Sequence, residues 1–180
     1  MALKPTEIAL ADVTVHHADG TEARLGDLVD RPTVLVVPRY YGCLPCRGYL
    51  KDVSRRLDEI RARGGAALGV SSGADFQARW LMSDQGIAFP LLVDPERNIH
   101  AALALPRRWW VALNPKGWWR YAAAIARGNR QGRIVDPLQI PGLAVLDATA
   151  TARYVHRGRA LGDYPPLDTV ISALAELAEG

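Results

Sequence analysis

The stretch Thr33-Val34-Leu35-Val36-Val37-Pro38-Arg39-Tyr40-Tyr41-Gly42-Cys43-Leu44-Pro45-Cys46-Arg47 decides the reading of this chain. Thr33 to Val37 is a β-branched apolar run without alternation, the pattern of a strand buried on both faces, and Pro38 ends it. After Cys46, apolar residues recur at helical spacing (Leu50, Val53, Leu57, Ile60), while Lys51, Asp52, Arg55, Arg56, Asp58 and Glu59 cover the other face. The chain's two cysteines therefore sit where a buried strand hands over to the first turn of a helix. Unpaired backbone N–H groups there carry partial positive charge, which favours a thiolate. The spacing makes Cys43, nearest the helix start, the attacking thiolate and Cys46, one turn later, the resolving thiol. Pro45 presets an early helical φ between them. Two other readings of C-x-x-C compete, a pair of inert buried thiols and half of a zinc site. Zinc needs four ligands, and His16, His17, His100 and His156 are scattered without metal-like spacing, so neither metal nor cofactor is expected.

Outward from this stretch, strand and helix alternate. Asp12 to His17 alternates weakly into the turn signal Asp19-Gly20, and Thr21 to Leu28 returns as a strand or a short helix. Gly64-Gly65 stops the helix after Ile60. Ala66 to Val70 is a second buried strand, and Ser71, Ser72 and Asp75 offer caps for a helix through Phe76 and Trp80 that Gly86 closes. Phe89 to Val93 is a third strand, followed by a short helix around Ile99 to Leu105. Gly142 to Asp147 and Ala152 to His156 flank a turn and read as an antiparallel hairpin. Leu167, Val170, Ile171, Leu174 and Leu177 mark a closing helix. The expected architecture is α/β, one domain over residues 1–180, with a mixed sheet flanked by helices on both faces.

Residues 106–141 break the alternation and read as an insertion with one helix, Trp118 to Ala126. It holds Trp109, Trp110, Trp118 and Trp119. Eight of the chain's 22 basic residues lie between Arg97 and Val135, where there is no Asp or Glu, so a net charge of +3 conceals one basic segment on an acidic remainder. Arg130 and Arg133 belong to that segment. Basic residues among aromatics can bind single-stranded nucleic acid or a membrane surface. Adjacent tryptophan pairs cannot face one way on a helix, however, so a lid over the sheet edge or a self-association surface is the expectation. A homodimer is the partner this allows, with no nucleic acid and no membrane. The first residues, Met1 to Glu7, lack a signal-peptide core and no run is long enough to span a bilayer, so a cytoplasmic protein is expected.

The order strand, C-x-x-C at a helix start, hairpin and terminal helix resembles the thioredoxin fold. Three further stretches are similar to the peroxiredoxin-like alkyl hydroperoxide reductase/thiol-specific antioxidant superfamily. They are Asp19-Gly20-Thr-Glu-Ala-Arg-Leu25-Gly-Asp-Leu28, Phe89-Pro-Leu-Leu-Val-Asp-Pro-Glu-Arg97, and the hairpin from Gly142 to Val155. The resemblance covers about residues 10–105 and 135–180. Its typical members carry Thr or Ser three residues before the peroxidatic cysteine and Pro seven before it. Counting back from Cys43 reaches Tyr40 and Val36, and from Cys46 reaches Cys43 and Arg39. The C-x-x-C instead resembles thioredoxin's or that of the peroxiredoxin-like-2 subgroup.

The resemblance implies a thiol-dependent oxidoreductase that reduces a peroxide and is recycled by an external thiol reductant. Thiol–disulfide exchange through the same couple is the alternative, and a redox-inactive module binding through the basic tryptophan segment is the second. By likeness to thioredoxin-fold proteins, Pro141 is a candidate cis-proline facing the dithiol and exposing the Ile140 backbone to substrate. Tyr40 and Tyr41 are expected to line the same pocket. Arg47, within a turn of the dithiol, either stabilises the thiolate or is a solvated charge. Arg107, or its neighbour Arg108, could reach the thiolate or an oxyanion.

Overall fold

In the computed structural model, which describes residues 4–72, 75–83, 85–110, 115–128 and 136–179, Thr33–Val37 forms strand β4 with all five residues buried. Its period of two sends Val34 and Val36 into one core layer and Leu35 and Val37 into the other. Each such side chain contributes about 1.5–3 kcal/mol by leaving water. β7 (Gly142–Leu146) splits the same way, Leu143 and Val145 against Ala144 and Leu146. These two strands form the centre of the sheet.

Among the described residues the sheet has eight strands in the order β1-β8-β7-β4-β5-β6-β2-β3. β5 (Ala66–Ser71) and β6 (Leu91–Val93) lie parallel to β4, reached through helical crossovers, while β7 is antiparallel to it. β7 and β8 (Thr151–Arg157) make the expected hairpin. β2 (Thr14–His16) and β3 (Glu22–Arg24) pair at the far edge, and the 21–28 segment is both a strand and a helix, with α1 at Leu25–Leu28. β1 (Lys4–Ala9) was not legible as a strand; it adds antiparallel to β8 at the near edge. Its side chains are exposed or half-buried, so no apolar alternation marks it, and Pro5 is tolerated because edge strands need fewer donors.

The helix after the dithiol is two helices, α2 (Leu44–Arg55) and α3 (Leu57–Ala62). They break at Arg56, whose guanidinium binds Glu59 at 2.7 Å and reaches Asp168 at 2.6 Å. Asp168 lies on the closing helix α7 (Leu167–Glu179), so the break ties α3 to it. Leu50, Val53, Leu57 and Ile60 meet Val170, Ile171 and Leu174 in one core layer. α4 (Asp75–Ser83) and α5 (Asn98–Ala102) occupy their expected places.

Within the insertion, α6 (Pro115–Ala126) packs against α2 rather than over a sheet edge. Its Trp118 and Trp119 are exposed, as are Trp109 and Trp110. Residues 111–114 and 129–135, with Arg130 and Arg133, and Met1 to Leu3 lie outside the described residues. Among the described residues no helix is long and apolar enough to cross a membrane.

Candidate active site

The end of β4 delivers the chain through a tight turn to Cys43, whose N–H donates to the Tyr40 carbonyl at 3.0 Å. Cys43 is the N-cap of α2, with extended φ −67° and ψ 118°, and its carbonyl accepts the first helical bond from Arg47 at 3.0 Å. Both cysteines are free thiols, fully buried, and pack with Tyr40 and the partly buried Tyr164. The dithiol thus lies at the strand-to-helix junction that the spacing implied.

The charge that governs the pair is Arg39, which sequence reasoning passed over. It is 3% exposed. Its Nε donates to the Gln139 carbonyl at 2.7 Å and a terminal nitrogen donates to that of Pro137. Gln139 is itself anchored, donating to the Leu105 carbonyl at 2.7 Å and pairing as an isolated bridge with Arg107. Arg39 acts on both sulfurs. A buried guanidinium held by carbonyls rather than carboxylates leaves its charge uncancelled, which is what a neighbouring thiolate needs.

The two thiols pack together and each acts on the other's proton, so they titrate as one unit. Burial pushes the Cys46 thiol up, yet the Cys43 S–H, the Arg39 cation and the Tyr164 hydroxyl outweigh it and bring Cys46 down to about 7. Burial above all, then the adjacent Cys46 and its charge, hold Cys43 well above the usual thiol range. The first proton therefore leaves readily and the second is retained. The helix start is common to both thiols, whereas Arg39 and Tyr164 add a pull on the Cys46 proton that the sequence did not mark.

Tyr164 belongs to the loop after β8. Its ring stacks on Tyr49 with centroids 4.2 Å apart, and its buried hydroxyl, without a hydrogen-bond partner among the described residues, lies close enough to act on the Cys46 thiol. Gly162 in that loop has φ +62°, and a Cβ there would overlap Pro45, between the two cysteines. Only glycine lets this loop close on the motif. Asp163, nearly buried, accepts from the Arg159 N–H at 2.8 Å and pairs with Arg120 of α6 at 2.9 Å. A second ion pair joins Arg127 to Asp52 of α2 at 3.7 Å. Pro45, Tyr164, Arg120 and Ala124 line a crevice of about 240 Å³ between α2 and α6.

Tyr40 does contact the thiols, and their apolar surroundings raise its hydroxyl pKa. Tyr41 does not line the pocket. Its ring lies in the α2-side core, and its hydroxyl donates to the Gly69 carbonyl at 3.1 Å and to that of Leu92. Successive residues leaving a strand point apart, so the two tyrosines cannot share one wall. Arg47 is buried, not solvated, with its guanidinium 4.3 Å over the Trp80 ring; Cys43 acts on its charge. Arg107 is not at the thiols. It pairs at 3.3 Å with buried Asp136, which also binds Arg97 at 2.7 Å.

The cis bond expected at Pro141 is not found; no peptide among the described residues is cis. Pro141 enters β7, whose Gly142 pairs with Val37, and its carbonyl accepts from Gly158 at 2.9 Å. Ile140 is 3% exposed. Its N–H faces the Pro106 carbonyl at 3.4 Å and its carbonyl accepts from the Gln139 side chain, so its backbone is not presented to a substrate. Tyr40 and Tyr164, not the proline, wall the dithiol. Among the described residues no cluster of three His, Cys, Asp or Glu could hold a metal.

The profile of the AhpC/TSA family matches residues 7–153 of this chain. The thioredoxin-like protein AAED1, chloroplastic, of Arabidopsis thaliana is 24% identical over 94% of this chain and 73% of its own length. Peroxiredoxin-like 2C of Mus musculus is 24% identical over 93% and 80%. Among solved structures, peroxiredoxin Q of Xanthomonas campestris superposes with a TM-score of 0.64 at 19% identity, covering 94% of this chain and 93% of that one. A secreted thiol-disulfide isomerase of Corynebacterium glutamicum reaches a TM-score of 0.63 at 20% identity, covering 95% and 86%.

Proposed function

This chain belongs to the AhpC/TSA family and is a thiol-dependent, peroxiredoxin-like oxidoreductase; on that premise we propose that Cys43 and Cys46 are its redox couple and peroxide its oxidant. The observation that carries this is a pair of free, buried thiols packed together at the start of α2, with the Arg39 charge acting on both. On this reading the pair holds one proton at neutral pH, which passes from Cys43 to the adjacent Cys46. Cys43 thiolate then attacks a peroxide oxygen. The O–O bond breaks, Cys43 becomes a sulfenic acid, and the alcohol or water leaves after taking up a proton. Cys46, now a thiol, condenses with the sulfenic acid, expelling water and forming the disulfide. An external thiol donor returns two electrons by exchange.

The family's hydroxyl three residues before the attacking cysteine is replaced by Tyr40. On this reading Arg39 and the Tyr164 hydroxyl, both of which act on Cys46, polarise the peroxide instead. Full burial of both sulfurs means that α6 and the 158–164 loop must part for a substrate to enter. Disulfide exchange, with Cys43 attacking a substrate disulfide, is the second reading, favoured by that same replacement.

Stopped-flow tryptophan fluorescence of the reduced protein, with hydrogen peroxide and separately with a protein disulfide, tests both. A Cys43-dependent response to peroxide, with a sulfenic acid trapped by dimedone in Cys46→Ser but not in Cys43→Ser, is expected. Trapping only in Cys43→Ser would reverse the two roles. A response to the disulfide alone would select exchange, and no response to either would remove the enzymatic reading.

A further inference from the structure

A cleft of about 530 Å³, lined by neither cysteine, opens where the end of β8, the start of β1 and residues 104–110 meet. That volume is in the range of small-molecule sites, about 300–1,000 Å³. Its inner surface is apolar, formed by Ile140, Val155, Pro106 and Trp110. Its charged residues are Lys4, Arg108, Arg157 and Arg159, with His156 beside them, and among the described residues no Asp or Glu lines it.

Outside this cleft most of the described arginines pair with a carboxylate, Arg39 being an exception. Arg97, Arg107, Arg120, Arg127 and Arg153 each pair with a carboxylate. Lys4, Arg108 and Arg157 pair with none among the described residues. They are nonetheless positioned: the Arg108 guanidinium lies 4.9 Å from the Trp110 ring centroid, and the Arg157 Nε donates to the Leu103 carbonyl at 2.7 Å. Arginine heads held this way offer free N–H edges to a carboxylate, which they can bind in bidentate fashion.

We propose that this cleft binds an amphipathic monocarboxylate, its apolar body against Ile140, Val155 and Trp110 and its carboxylate between Arg108 and Arg157. A neutral apolar ligand would leave the cations without a counter-charge. A polyanion would waste the apolar floor. The site does not depend on thiol chemistry, although Ile140 follows the Gln139 that holds Arg39.

Isothermal titration calorimetry of the reduced full chain with decanoate, and with decyltrimethylammonium of equal chain length, tests the proposal below the aggregation limits of both. One saturable decanoate site is expected, with the cation at least tenfold weaker. Arg108→Glu should weaken decanoate at least tenfold; Lys4→Glu, on the exposed edge strand, gives a second reversal if Arg108→Glu fails to fold. Trp119→Ala, on the exposed face of α6, should bind as the parent does. The Cys43→Ser/Cys46→Ser double variant should too, so a failed redox reading would leave this result untouched. Equal binding of the two head groups, indifference to the charge reversals, or no saturable heat would overturn the proposal.

Discussion

The Arg39 Nε donates to the Gln139 carbonyl at 2.7 Å, joining the turn that carries the dithiol to a segment 100 residues away. This bond aims an otherwise unneutralised cation at both sulfurs. Arg39→Met should raise the first thiol pKa of the pair above about 7 by a unit or more. Peroxide reduction at pH 7 should slow several-fold. Two carbonyls would also lose a buried donor, at about 1–3 kcal/mol of stability each. Thiolate absorbance near 240 nm against pH reads the first effect and urea unfolding the second. Arg39→Lys should recover most of the pKa but not the stability. An unchanged titration in Arg39→Met would remove Arg39 from the site.

Tyr41 and Tyr164 separate structural from chemical roles. Tyr41→Phe deletes the donor to the Gly69 and Leu92 carbonyls inside the core and should cost about 1–3 kcal/mol, leaving the thiol titration in place. Tyr164→Phe should do the reverse, raising the pair's first pKa while its ring keeps the stack on Tyr49. Melting temperature and thiolate absorbance measured on both variants should move in opposite pairs.

Folding stability of the reduced protein should carry a thiol signature in pH. Cys46 has a pKa of about 7 in the fold, lowered from 9.0. As pH rises from 7 to 9 the folded state has lost a proton the unfolded chain still holds, so stability climbs through that window and is lost again as pH falls through 7. Cys43, held above 9.0 in the fold, acts oppositely, so the gain declines once the unfolded chain ionises above pH 9. The difference in unfolding free energy between the parent and Cys46→Ser, followed from pH 6 to 10, should therefore pass through a maximum near 9. A flat difference would mean the sulfurs do not share a proton.

The α6 closure rests on Arg120–Asp163, the better-buried ion pair, since the exposed Arg127–Asp52 contact at 3.7 Å contributes little. Arg120→Ala should loosen α6 and speed iodoacetamide alkylation of Cys43 and Cys46 several-fold, while Arg127→Ala should leave it within twofold. Added salt should accelerate the parent more than Arg120→Ala. Mass spectrometry of each cysteine against time reads this directly. Equal rates in all three proteins would show that α6 does not gate the thiols.

Much of the fold was legible because its signals are local. Val34 to Val37 and Leu143 to Leu146 are apolar on both faces, and that pattern identifies central strands whatever they pair with. Leu50, Val53, Leu57 and Ile60 keep helical spacing even across the break at Arg56, whose ion-pair partner Asp168 on α7 lies far along the chain. β1 escaped notice because an edge strand with exposed side chains carries no apolar period.

The candidate site divides in the same way. Cys43 and Cys46 were identifiable because both the dithiol spacing and the strand-to-helix handover lie within fifteen consecutive residues. Arg39 was hidden, since an arginine after a proline has no sequence mark of burial until Gln139 and Pro137 present their carbonyls. Tyr41 and Pro141 were misplaced because the direction of a side chain leaving a strand, and the isomer of a prolyl bond, depend on what packs there.

Sequence alone thus determined the architecture and the thiol pair, through patterns that short-range backbone geometry imposes. Only the tertiary structure decided which charges and hydroxyls act on that pair. Electrostatics acts through space, and Arg39 and Tyr164 lie on opposite sides of the motif along the chain, converging on Cys46 only when the sheet closes and the loop after β8 folds over Pro45.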